Sequence, residues 1–275
     1  MYESVQTKTP VSGPTKKQTE YSHDQRSELT LLLCEEGKES VRTARRNRLL
    51  GVLSAADLAA LGSLEEVAIE TRQILEAPGT PISHVYFVES GLASIVGTIG
   101  PNQSIEVGMI GFEGMTGTAV VLGDDRSSNE IVVQAAGTAL RVSAGDLRKA
   151  MEKSPTLAGV FLRYVHTLFA QASHSAVANG RGRLDERLAR WLLMWQDRLQ
   201  SEDLKITHDF LSILLGVRRA SVTVALHDLE GRSLVRSTRT LIKILDREGL
   251  RAAANGFYGI PEAEYDRTIG WTGAT

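Results

Sequence analysis

The sequence predicts an α+β fold: a β-rich segment, then one long helix, then a compact helical unit. Three observations carry this. From about Val67 to Val142, short β-compatible runs alternate with turn signals at spacings of about 8 to 12 residues. Pro155 opens an unbroken helical pattern, and Lys205–Gly231 holds two short helical patterns around a glycine.

Composition narrows the function classes. The 275 residues are 42% apolar, enough for more than one core and incompatible with a wholly disordered chain. No apolar run reaches the roughly 18 to 20 residues of a membrane span, and the first residues lack the apolar segment of a signal peptide, so a cytoplasmic protein without a membrane partner is expected. A single cysteine, Cys34, excludes an internal disulfide, a multi-cysteine zinc site and a four-cysteine cluster. Charge is divided unevenly. Residues 46–150 hold 7 Lys/Arg against 12 Asp/Glu, a net −5, whereas residues 181–251 hold 14 against 10, a net +4. Any polyanion is expected to meet the C-terminal part.

The elements follow in order. Residues 1–46 are rich in Ser, Thr, Lys, Glu and Gln and read as a flexible arm, with one short apolar stretch at Leu29–Cys34. A domain begins at Asn47, where Ser54 can cap a helix carrying Asp57 in its first turn and Leu58 and Leu61 on its apolar side. The runs VAIETRQILEA, HVYFVESGLASIVGTI, SIEVGMI and NEIVVQAAGTALRV, punctuated by Pro78-Gly79, Gly100-Pro101-Asn102 and Gly123-Asp124-Asp125, indicate an antiparallel sandwich or barrel. Ser143 can cap a short helix over Ala144–Met151.

After Pro155, the residues Leu157, Phe161, Tyr164, Leu168 and Ala172 fall on one stripe of a helix reaching to near Gly180. Self-association in a parallel pair covers such a stripe; packing back on its own sheet is the alternative. Gly180-Arg-Gly182 reads as a hinge, followed by a helix through Leu188, Trp191, Leu192 and Trp195. The predicted boundaries are 47–153 for the β-domain, 154–181 for the long helix and hinge, 182–254 for the helical unit and 255–275 for an extended tail, with Trp271 unplaced.

The segment Lys205–Gly231 is the most informative. Thr207 is a good N-cap, the helix Asp209–Leu215 stops at Gly216, and a second helix from near Arg218 to Glu230 turns Val222, Ala225, Leu226 and Leu229 inward. This is a helix-turn-helix pattern, with Arg218, Arg219, Ser221 and Thr223 placed to face a DNA major groove and Thr207 and His208 at its edge. Ser233–Leu245 offers two short strands around a polar turn as a wing, where Arg236, Arg239 and Lys243 suit phosphate. An ordinary helical hairpin with surface arginines is the alternative.

This order of parts resembles the Crp/Fnr family of bacterial transcription regulators over residues 47–251. Leu-Gly-Val-Arg-Arg-Ala-Ser-Val within Thr207–Leu229 looks like the family's turn and recognition helix, and Phe87–Gly91 like its early β-roll turn. The resemblance implies a jelly-roll-like antiparallel β-roll sensor, a dimerisation helix and a winged helix-turn-helix. It further implies a homodimer on an inverted repeat of double-stranded DNA, and contact with RNA polymerase. Relatives that bind cyclic AMP use a Gly-Glu pair and an Arg-Ser pair. Gly117 and Thr118 fall at the first, and Asn129 and Glu130 at the second, unless a shortened loop slides Arg126-Ser127-Ser128 into register. With Glu130 where an anionic phosphate should bind, cyclic AMP gating is not expected. The recognition helix also departs from the family's Arg-Glu-x-x-x-Arg: Arg219 is present, but Ala220 and Val224 replace the other two, which implies a different target sequence.

Other patterns carry less. Gly108, Gly111, Gly114 and Gly117 are not followed by Gly-Lys-Ser/Thr and read as β-roll corners. His166 and His174 read as core or dimer-seam residues, and His84 as structural rather than a haem ligand. No metal or cofactor is called for. No catalytic motif is present, so no enzyme activity is expected. Two other functions stay open: a cyclic-nucleotide-gated regulator, and a small-molecule-binding signalling module without sequence-specific DNA binding. The sequence names no effector.

Overall fold

In a computed structural model, residues 46–100 and 103–270 are described. The expected arm, the Leu29–Cys34 stretch and Trp271 lie outside these residues. The β-domain starts where Asn47 caps the short helix α1, Arg48–Gly51. The buried Asn47 amide donates to the carbonyls of Val88 (2.9 Å) and Gly114 (2.8 Å), which fastens the chain to the sheets. Ser54 and Asp57 form the expected capping box of α2, Ala55–Leu61. Asp57 also accepts from the hydroxyls of Ser154 and Thr156, at the start of the long helix. These donors hold its carboxyl far below the usual carboxylate range.

Seven strands follow: β1 Glu65–Ile69, β2 Ile74–Glu76, β3 His84–Val88, β4 Leu92–Thr98, β5 Ser104–Ile110, β6 Glu130–Ala135 and β7 Gly137–Ser143. They form two antiparallel sheets, ordered β1-β7-β3 and β2-β6-β4-β5. Ile69, Val88, Ala93, Ile110, Ile131 and Val133 are buried together in this roll. Between β5 and β6 lies the single-turn helix α3, Thr118–Val121, and after β7 comes α4, Ala144–Lys153, capped by Ser143 as expected.

The long helix α5 runs from Pro155 to Arg181. Leu157, Phe161 and Tyr164 are buried, and they pack on the chain's own roll with Val85, Phe87 and Met115. The Phe87 and Phe161 rings lie 5.7 Å apart. The upper part of the stripe assigned to a partner therefore belongs to the chain's own core, and Leu168 packs half-buried against the same cluster. Ala172 is also half-buried. The large apolar side chains left bare on α5 are Leu162, Phe169 and Val177, with Phe169 70% exposed.

The helix ends at Gly182, and α6, Leu184–Leu199, begins a second core with the T-shaped pair Trp191–Trp195. Around α6 pack α7 His208–Leu214, α8 Arg219–Gly231, a small sheet of β8 Asp203–Leu204, β10 Ile242–Ile244 and β9 Val235–Ser237, and α9 Arg247–Ala253. Leu92 and Met109 of the roll join this core.

Residues 257–270 are not an extended tail. They form α10, Ile260–Ile269, whose Pro261, Tyr265 and Ile269 are buried at successive turns, the latter two in the core that α5 shares with the roll. Three apolar residues four apart suffice because α5 already offers the other surface. His166 is not a core residue. It is exposed on α5, with its Nε2 2.9 Å from Glu264 of α10. Among the described residues no single helix is long and apolar enough to cross a membrane.

Candidate nucleic-acid interface and sensor pocket

The helices α7 and α8 turn through 105° at Gly216, whose φ of +63° is the left-handed conformation that glycine tolerates. Thr207 caps α7, accepting from the Phe210 amide at 3.2 Å. Leu211 and Leu214 bury against Val222, Ala225, Leu226 and Leu229, which leaves the opposite side of α8 in solvent. Arg218 stands at the N-cap position of α8 without a side-chain capping bond and Arg219 is its first residue; both are exposed. The Arg219 guanidinium rests 3.2 Å from Asp209. Such an exposed pair costs little to open.

The structure brings His208 and Thr223 together as a brace. The imidazole Nδ1 lies 3.2 Å from the Thr223 hydroxyl and Nε2 lies 3.0 Å from the Ser237 hydroxyl, joining α7, α8 and β9. Ser237 also donates its amide to Glu230. The wing is the expected hairpin of β9 and β10, with Arg236 and Lys243 paired across it, and Arg236, Arg239 and Lys243 exposed. Val224, noted in the sequence only as a replacement, is 62% exposed one turn after Ala220, where a methyl surface suits thymine. Ser221 is half-buried on α8.

In the roll, Gly117 precedes α3 with φ +76°, and a Cβ there would lie 2.3 Å from the Val85 side chain. Its amide donates to the carboxylate of Glu76, a buried residue of β2 that lies outside the sequence-derived site. Its one signal is a charge between Ile74-Leu75 and Ala77 in a β-compatible run. Burial pushes the Glu76 carboxyl above its ordinary value, against hydrogen bonds from Gly117 and Thr116. In the ladder Glu76 sits opposite Ile131, next to Glu130. Thr118, Asn129 and Glu130 are half-buried, and Glu130 pairs with Val96. Arg126 faces outward, its Nη1 donating to the Gly79 carbonyl at 3.0 Å beside Asp125. The glycine run serves close approach: a Cβ on Gly114 would lie 2.2 Å from the Tyr164 hydroxyl, and one on Gly111 would lie 2.7 Å from Arg198.

Two domain families match in this order. A cyclic nucleotide-binding domain matches residues 66–154, and a Crp-like helix-turn-helix domain matches residues 186–253. The chain belongs to the Crp/Fnr family. Solved structures share the fold. A Crp/Fnr-family transcriptional regulator of Eubacterium rectale aligns with TM-score 0.62 and 20% identity over 76% of this chain and 98% of its own. FixK2 of Bradyrhizobium japonicum aligns with TM-score 0.60 and 16% identity over 70% and 97%. A CRP/FNR-family transcriptional regulator of Thermus thermophilus aligns with TM-score 0.58 and 21% identity over 70% and 99%. No curated protein matches the chain.

In this Crp/Fnr chain the roll and the helix-turn-helix unit meet directly. Glu106 of β5 is buried, accepts from the Trp191 indole at 2.9 Å, and takes a second hydrogen bond from the Ser94 hydroxyl. Burial raises its carboxyl to about 7, against those two bonds and the charges of Arg198 and Arg190. The buried Arg190 donates to the Phe257 carbonyl (3.0 Å) and the Ser175 hydroxyl (3.2 Å), linking α6 to α5 and the C-terminal residues. A buried charge reached only through tertiary contacts leaves no local sequence pattern, so Glu106, Arg190 and Arg198 are absent from the sequence-derived site. Among the described residues no cluster of His, Cys, Asp and Glu could hold a metal ion.

Proposed function

We propose that this Crp/Fnr chain is a homodimeric, sequence-specific transcription regulator that reads an inverted repeat in double-stranded DNA and is not gated by cyclic AMP. One observation carries the DNA reading: Arg218, Arg219 and Val224 stand exposed on the recognition helix, flanked by the wing cations Arg236, Arg239 and Lys243. Arginine suits bidentate contact with guanine, Val224 suits a thymine methyl, and the wing suits phosphate. Ser221 adds a hydroxyl to the same face, with Thr207 at its edge, while His208 and Thr223 hold the recognition helix on the wing.

Leu162, Phe169 and Val177, seven and eight residues apart on α5, form the seam for a second copy. On this reading 47–153 is the sensor, 154–181 the dimerisation helix and 182–254 the reader. The chain acts in the cytoplasm, catalyses no reaction and touches RNA polymerase as the family resemblance implies. The lack of cyclic AMP gating rests on charge. A cyclic phosphate at the Asn129-Glu130 position would meet the Glu130 carboxylate, while Glu76 on the neighbouring strand already occupies the Gly117 amide and Thr118 and Asn129 stand in place of the family's ligands.

Selecting bound duplexes from a random pool with the ligand-free chain should enrich an inverted repeat; salt-sensitive but sequence-blind binding would overturn the DNA reading. Calorimetric titration with cyclic AMP and cyclic GMP should give no binding heat. Micromolar affinity for either would overturn the ungated reading.

A further inference from the structure

A cavity of about 290 Å³ lies where the Gly111–Met115 turn, the long helix, the end of α6 and the C-terminal residues meet. Its apolar wall is made by Phe112, Tyr164, Leu168, Tyr258 and Tyr265. Tyr258, Glu262 and Tyr265 lie beyond both matched family domains. Two arginines and four carboxylates line the cavity: Arg48 and Arg198 against Glu113, Asp197, Glu262 and Asp266.

The cations are matched from within. Arg198 lies 2.7 Å from Glu113, and Arg48 lies 4.0 Å from Asp266 while stacking 4.9 Å from the Phe112 ring centre. Asp197 is met from outside the cavity by Arg247 at 2.7 Å, and by the Tyr258 hydroxyl at 2.6 Å. Glu262 differs. One of its oxygens caps α10 through the Gly259 amide at 3.0 Å; among the described residues its carboxylate enters no ion pair within 4 Å, and its charge reaches Arg198 and Arg190 only at longer range. Burial, reinforced by the nearby negative charge of Glu113, holds the Tyr164 and Tyr265 phenols well above their ordinary value, so they stay neutral. One Glu113 oxygen is buried without a hydrogen-bond partner. The lining is therefore rich in acceptors and aromatic faces, and its positive charges are already engaged.

We propose that this cavity is a binding site for a small organic cation, an ammonium or amidinium on a single-ring body. Its head pairs with Glu262 and its body lies on Phe112, Leu168 and Tyr265. The size sits at the lower end of ligand pockets, roughly 300 to 1,000 Å³, and a cation over aromatic faces gains beyond its apolar burial. An anion would have to displace Asp266 from Arg48 or Glu113 from Arg198. The proposal does not depend on the DNA reading.

Thermal unfolding and calorimetric titration of the full chain with benzamidine and phenethylamine test it, with benzoate and benzyl alcohol as shape-matched anionic and neutral probes. The two cations should bind saturably and raise Tm with dose, as a ligand of the native state does; benzoate and benzyl alcohol should not. Glu262→Gln keeps the cap and removes the charge, and should weaken benzamidine about tenfold, about 1.4 kcal/mol. Leu168→Trp fills the apolar wall without changing charge and should abolish the response while unfolding stays cooperative. Equal response to benzoate, no saturable binding of either cation at millimolar concentration, or benzamidine affinity unchanged in both variants would each overturn the proposal.

Discussion

The buried carboxylates of the roll and the arginines of the recognition helix and wing handle charge in opposite ways. In the roll, carboxylates are drawn inward and satisfied there: Glu76 on the Gly117 amide, Glu106 on Ser94 and Trp191, Asp57 on the hydroxyls of residues 54, 154 and 156. On the recognition helix and the wing, Arg218, Arg219, Arg236 and Arg239 are left in solvent with at most an exposed carboxylate beside them, unlike the buried Arg190 and Arg198 of α6. A buried charge that is hydrogen-bonded within the chain has no capacity left for an outside ligand, whereas an exposed guanidinium keeps nearly all of its own. The same contrast runs along α5, whose one face is the roll's core and whose other face keeps Phe169 in water.

The sharpest break of that contrast uses the two faces of α5. Phe161→Ala removes a fully buried ring and should cost about 3 to 5 kcal/mol in urea unfolding. Phe169→Ala should leave monomer stability within about 0.5 kcal/mol while weakening self-association in sedimentation at least about tenfold. Equal loss of stability from both would mean that the bare face is covered within one chain.

Next in size are the reader's arginines. Arg219→Ala should lose about 1 to 3 kcal/mol on the selected site and relax specificity there, whereas Arg236→Ala should weaken all duplexes alike and lower the salt slope by about 1. Competition binding across salt concentrations separates the two. An unchanged profile for Arg219→Ala would remove it from base readout.

A smaller effect sharpens the roll's side. The carboxyl of Glu106 stands at about 7 in the native state against 4.5 for an ordinary glutamate, because burial disfavours its ion. Between those values the native chain keeps a proton that the unfolded chain releases. The stability this group contributes is therefore full below about 4.5, and is lost as pH rises to about 7. Glu106→Gln can keep both hydrogen bonds without titrating. The Tm of the native chain relative to this variant should fall by a few degrees between about pH 5 and about pH 8. A difference independent of pH would show that Glu106 is ionised throughout.

Local spacing and turn chemistry were enough to write one set of features. The caps at Ser54, Ser143 and Thr207, the Pro155 helix start, the glycine stop at Gly216, the antiparallel strands and the paired wing strands are each set by residues within a few positions of one another. Which surface each element covers was settled only by folding. The 3.6-residue period marked Leu157, Phe161 and Tyr164 as a buried stripe but is blind to whether the burying surface is a partner or the chain's own roll. Composition made the residues after Gly256 look like a tail, because only Pro261, Tyr265 and Ile269 meet the surface that α5 supplies. Glu76, Glu106 and Arg198 became parts of sites through partners 41, 85 and 85 residues away in sequence, at Gly117, Trp191 and Glu113. Hydrogen bonding and desolvation act over ångströms of space, so groups brought together only by folding leave no spacing in the sequence by which to find them.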